Sequence, residues 1–138
     1  MRNFYVITHG AMANGLAETI KMLIGDKKSI TPITAYIGNQ LLEDLVLDVI
    51  RDIESGVEVI VFTDIAHGSV NQYFVPYLKY ANFHLITGIN IAIVLSIMLL
   101  DSDEPISRES ILREVEFSRE QIIYMNTHII KIDDADEL

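Results

Sequence analysis

Three apolar runs in this chain end in polar or glycine residues that could do chemistry: Thr8-His9-Gly10, Thr63-Asp64 with His67-Gly68-Ser69 just beyond, and Gly88-Ile89-Asn90. An imidazole accepts a phosphoryl group only while one ring nitrogen keeps a free lone pair. A carboxylate that takes the proton of the other nitrogen fixes that tautomer and steadies the ring. Asp64 is the candidate for that role toward His9. If it holds Nδ1–H, Nε2 becomes the acceptor. Backbone N–H groups around Gly68 and Ser69, ahead of a following helix, are candidates to receive phosphoryl oxygens. The Ser69 hydroxyl is a further donor and His67 a further contact. Such a site would work by positioning and charge stabilisation, which phosphoryl transfer chiefly requires. Plainer readings stay open on the residues alone. His9 could be a hydrogen-bonded histidine at a strand end, Asp64 and Ser69 could be caps, and His67 could face solvent from its loop.

These residues need elements to bring them together. Residues 4–8, 30–37, 57–63, 83–87 and 127–132 read as strands, short and rich in β-branched or aromatic side chains. Between them, residues 12–24, 41–53, 71–81, 90–100 and 107–124 read as helices. Leu41, Leu45, Val49 and Ile53, four apart, define an expected inner face for the second of these. Ser107 is an expected N-cap, and Asn90 is better read as a cap than as a ligand. Strands alternating with helices predict an α/β fold, doubly wound, with a mostly parallel sheet covered by helices on both faces. In such sheets ligands bind beyond the carboxyl ends of the strands, near the switch in strand order. His9, Asp64 and Ser69 all fall at such ends.

Composition narrows the function classes. The 138 residues suit one domain, expected over residues 1–132, with an acidic tail at 133–138. There is no cysteine, which excludes disulfides, thiolate metal sites and a cysteine nucleophile. The formal net charge of −10 opposes nucleic-acid binding and would attract a basic partner, while solubility alone is the plainer reading of it. The apolar stretch 86–100 is interrupted by Thr87, Gly88, Asn90 and Ser96, which argues against a membrane span. No secretory leader pattern is read at the N-terminus, so a soluble cytoplasmic protein is expected. His9-Gly10-Ala11 is not a dinucleotide fingerprint, and no Walker lysine is present.

The segment Phe4-Tyr5-Val6-Ile7-Thr8-His9-Gly10 resembles the start of IIA domains of the mannose/fructose/sorbose phosphotransferase family, where a strand ends in the phosphorylated histidine. Val61-Phe62-Thr63-Asp64 with Gly68-Ser69, and Thr87-Gly88-Ile89-Asn90, resemble that family's second and third motifs in order and spacing. His67 and Val70 depart from the family's usual glycine and proline. The resemblance implies that phospho-HPr donates to His9 and that an EIIB component receives the phosphoryl group, with membrane EIIC and EIID components completing sugar uptake. It implies no metal or cofactor at this step. It also implies a homodimer in which the C-terminal strand, here residues 127–132, is antiparallel and exchanged between protomers. The alternative is a regulatory or signalling domain of the same fold, for which His67 and Val70 are the motivation.

Overall fold

The computed structural model describes residues 1–100 and 102–128. Four strands, β1 (Arg2–His9), β2 (Ile30–Ala35), β3 (Glu58–Thr63) and β4 (Phe83–Thr87), form one sheet in the order β2-β1-β3-β4. All three pairings are parallel. Successive side chains of a strand point to opposite faces, so each strand must be covered twice. In β1, Phe4 and Val6 pack beneath α1 (Met12–Ile24), α5 (Ile91–Met98) and α6 (Arg108–Arg119). Tyr5 and Ile7 pack on the other face against α2 (Leu42–Leu45), α3 (Leu47–Glu54) and α4 (Ser69–Phe74). All six residues of β3 are buried, as a strand covered on both faces requires. Truncating Phe62, which is fully buried, would remove about 3–5 kcal/mol of stability. The doubly wound α/β expectation is met.

Several element boundaries depart from expectation; the helix expected over 107–124, for one, ends at Arg119. The expected helix 41–53 is two helices, interrupted at Val46, whose backbone (φ −106°, ψ 13°) leaves helical geometry. Val49 and Ile53 of the expected inner face are buried and Leu45 packs against the core, whereas Leu41 is exposed and Val46 is buried, which skews the face toward Val46. The expected helix 71–81 begins earlier, at Ser69, and gives way to a 3-10 helix over Val75–Lys79 with Pro76 in its first turn. Proline lacks the N–H that an α-helix would need there. The second strand stops at Ala35 because Tyr36 takes φ 64°. Pro32 is tolerated within it because β2 is an edge strand.

The last departure is C-terminal. Thr127 and His128, expected to begin a strand, lie in a helical turn at 125–128, and both their N–H groups bond the Tyr124 carbonyl at 3.2 Å. Residues 129–132 of that segment, and the tail at 133–138, lie outside the described residues. The caps conform: the Asn90 side chain accepts from the Ile93 N–H at 2.9 Å, and Ser107 Oγ accepts from the Ser110 N–H at 3.1 Å. Among the described residues no helix is long and apolar enough to cross a membrane.

Candidate active site at the carboxyl edge of the sheet

The connection after β1 leads outward to β2 on one side, whereas β3 and β4 lie on the other. The strand order therefore reverses between β1 and β3, and a crevice opens where their carboxyl ends diverge. Ile7 sits opposite Thr63 in the register. β3 ends there, while β1 continues beside β2 to His9, and the turn after Thr63 carries the Asp64 carboxylate to it.

Asp64 Oδ2 accepts from the His9 backbone N–H at 2.9 Å and lies 2.8 Å from ring Nδ1. Its other oxygen, Oδ1, accepts from the Ile65 N–H at 3.0 Å. Burial pushes the Asp64 carboxyl up. The hydrogen bonds from His9 and Ile65 and the nearby imidazole outweigh that and hold it below the ordinary value of 3.8. At neutral pH this carboxylate is ionised and can only accept. In the neutral imidazole the proton therefore sits on Nδ1, and Nε2 keeps its lone pair. The His9 side chain is 39% exposed and that of Asp64 only 15%, so the carboxylate is sheltered and the ring is reachable.

Local turns hold this pair in place. Gly10 takes φ 61° and bonds the Ala35 carbonyl through its N–H at 2.9 Å, turning the chain from β1 into α1. Thr8 Oγ1, buried, accepts from the Ala13 N–H at 2.8 Å in the first turn of α1. In the β3–α4 loop, Thr63 Oγ1 donates to Asn71 Oδ1 at 3.1 Å, and Asn71 Nδ2 donates to the Ala66 carbonyl at 3.0 Å. The loop shape is thereby tied to the end of β3.

Gly68 is buried against the imidazole. A Cβ there would lie 2.9 Å from His9 Cε1 and 3.0 Å from Ile65 Cγ1. Its φ of −77° is open to any residue, so space alone demands glycine here. Its own N–H turns back to the Ile65 carbonyl at 3.3 Å rather than facing the crevice. Ser69 and Val70, the first residues of α4, have backbone N–H groups without a backbone acceptor among the described residues. His67 is exposed and hydrogen bonds to nothing among the described residues.

One residue escaped the sequence reading. The Tyr36 ring stacks on His9 with centroids 5.3 Å apart and planes at 29°, and its hydroxyl lies 2.5 Å from Ser69 Oγ. A signal existed, because Tyr36 is the first residue beyond the carboxyl end of β2, the same edge that carries His9 and Asp64. Of the other histidines, His84 is half-buried in β4, where burial pushes its imidazole below the ordinary value of 6.5. Arg2 lies at the opposite edge, paired with the buried Glu58, so it is remote from the crevice.

The structure is an open parallel α/β sheet with a carboxylate-held histidine at its switch point. The family described as PTS system fructose IIA component matches residues 4–113, and the chain belongs to that family. A Klebsiella pneumoniae protein, described as a phosphoenolpyruvate-dependent sugar phosphotransferase system permease, is 30% identical with a TM-score of 0.82, over 93% of each chain. The PTS IIA protein associated with the fucose utilization operon of Streptococcus pneumoniae is 22% identical with a TM-score of 0.74, over 93% of this chain and 96% of that one. The mannose/sorbose-specific IIA subunit of Enterococcus faecalis is 15% identical with a TM-score of 0.69, over 89% of this chain and 94% of that one. No curated protein matches the sequence.

Proposed function

We propose that this IIA-family protein is a phosphocarrier of a sugar phosphotransferase system, accepting its phosphoryl group on Nε2 of His9. The observation that carries the reading is the 2.8 Å contact between His9 Nδ1 and Asp64 Oδ2. It leaves one nitrogen lone pair, on a side chain that is 39% exposed. The donor is phospho-HPr, as the family implies. Nε2 attacks phosphorus, the donor's P–N bond breaks, and its electron pair returns to the donor imidazole. The ring of His9 then carries positive charge, which the Asp64 carboxylate offsets. Transfer to an EIIB histidine is the same exchange in reverse. Gly68 makes room for the ring. The Ser69 hydroxyl and the amides opening α4 are the groups suited to the phosphoryl oxygens, with His67 at the loop surface above them. The protein acts in the cytoplasm, as a homodimer, in series with the membrane EIIC and EIID components.

The test is incubation with enzyme I, HPr and phosphoenolpyruvate, followed by mass mapping of the phosphosite. Label on His9, absent from His9→Ala, is expected. Label confined to His67, His84 or His128 would refute the assignment. Transfer onward to a cognate EIIB separates a transport role from a purely regulatory one.

A further inference from the structure

Tyr36 occupies a position that burial does not explain. It is 52% exposed, and it is the one non-glycine residue among those described with a left-handed backbone, at φ 64°. An L-residue held there stores conformational energy that other contacts must offset, and such residues gather at functional sites. Two contacts tie Tyr36 to the site: its ring to the imidazole of His9, and its hydroxyl to Ser69 Oγ at 2.5 Å.

The surroundings of His9 define what these contacts do. Asp64 takes Nδ1, Gly68 closes against Cε1, and Tyr36 covers one face of the ring. The imidazole is thereby held in its plane and about its axis. The Tyr36 ring lies on His9 and its hydroxyl bonds Ser69, the residue after Gly68, so the hydroxyl pair belongs to the same rim of the sheet as the imidazole. Two hydroxyls bonded to each other share one hydrogen and hold the second free to donate elsewhere. When an anionic phosphoryl group sits on Nε2, both hydrogens can turn to its oxygens, and hydrogen bonds to a charged acceptor are the stronger kind.

We propose that Tyr36 is a positioning residue for His9 and, beside Ser69, a second hydroxyl donor to a phosphoryl group carried on Nε2. The inference rests on the phosphocarrier reading for its biological use, but it is tested without any protein donor. Potassium phosphoramidate loads accessible histidines directly: Nε2 attacks phosphorus, the P–N bond of the reagent breaks, and ammonia leaves. Hydrolysis then unloads the ring. Water oxygen bonds phosphorus, the electron pair of the P–N bond returns to Nε2, and dihydrogen phosphate departs with both water protons.

The experiment compares wild type with Tyr36→Phe, Tyr36→Gly and Ser69→Ala after phosphoramidate loading, with mass mapping to His9. It reads phosphohistidine half-life, the ³¹P chemical shift and the imidazole ¹⁵N shifts. Tyr36→Phe keeps the stack and loses the hydroxyl; a displaced ³¹P shift and a half-life shortened by about tenfold are expected. Tyr36→Gly suits the left-handed backbone, so the fold persists while the imidazole ¹⁵N resonances broaden and shift as the ring loses its stack. The Tyr36→Phe/Ser69→Ala double variant should lose less than the sum of the singles, because the two hydroxyls act together. Equal half-lives and ³¹P shifts in wild type and Tyr36→Phe would overturn the proposal, as would failure of phosphoramidate to modify wild-type His9. Loading by phosphoramidate but not by phospho-HPr refutes the phosphocarrier reading and still leaves the role of Tyr36 decided by the same half-lives.

Discussion

A single oxygen of Asp64, Oδ2, serves both the main chain and the ring of His9, at 2.9 and 2.8 Å. The end of β1 and the loop leaving β3 are thus joined at the point where the strand order reverses. Ring orientation and strand position are set by the same group, so disturbing one disturbs the other. The structural consequences of this linkage, and of the packing around it, are open to measurement.

Asp64→Asn should slow phosphoryl uptake from phospho-HPr by about 10- to 100-fold, the usual cost of losing a partner that orients a working histidine. The amide can donate to Nδ1 as well as accept from it, so the tautomer is no longer imposed. Single-turnover labelling gives the rate. ¹⁵N shifts of His9 should show proton density moving toward Nε2.

Gly68→Ala should displace the His9 ring, because the added methyl would meet Cε1 at 2.9 Å. Overpacking of this kind costs about 1–3 kcal/mol, which urea denaturation would register. The ring is the softer neighbour, so phosphoryl uptake should fall further than stability does. Unchanged labelling kinetics would contradict the close approach seen here.

Two windows of pH dependence follow from groups held below their ordinary values. Burial first, together with nearby cations, keeps His84 neutral, with the Glu58 carboxylate opposing them. As pH falls below 6.5 the unfolded chain binds a proton at His84 before the folded one does, so stability declines on acidification. His84→Gln should flatten that part of the curve. Asp64 adds stability that is full above 3.8 and is shed as pH falls from there through its lowered folded value. Urea midpoints measured across both ranges, for wild type and for His84→Gln, check the signs.

Glu58→Ala should destabilise the fold by about 3 kcal/mol while leaving phosphoryl uptake unchanged. Glu58 is buried at the amino end of β3, pairs with Arg2 and accepts from the Ile106 N–H at 2.7 Å. Removing it strands a guanidinium and a buried amide at the edge of the sheet remote from His9. Denaturation and labelling measured on the same variant separate the two effects.

Much of the architecture was legible because it rests on local pattern. Apolar, β-branched runs located β1, β3 and β4 to within two residues, since a strand buried on both faces leaves a continuous signature. Ser107 and Asn90 were readable as caps because their chemistry acts within three residues. Where local period met tertiary demand, the reading slipped. Val46 turned fully inward and Leu41 outward, because the groove over Tyr5 and Ile7 selects which side chains it takes.

The residue types, the order of strands and helices and the terminal positions of His9 and Asp64 were determined by the sequence alone, through alternation and spacing. What only the tertiary structure decided was the approach of groups 55 residues apart to 2.8 Å, the closure of Gly68 on the imidazole, and the left-handed turn that lays Tyr36 across it. Periodicity describes how a segment meets its immediate neighbours. Which strand lies beside which, and in what register, follows from the summed packing of all of them, and that is what places a proton on one nitrogen and leaves the other bare.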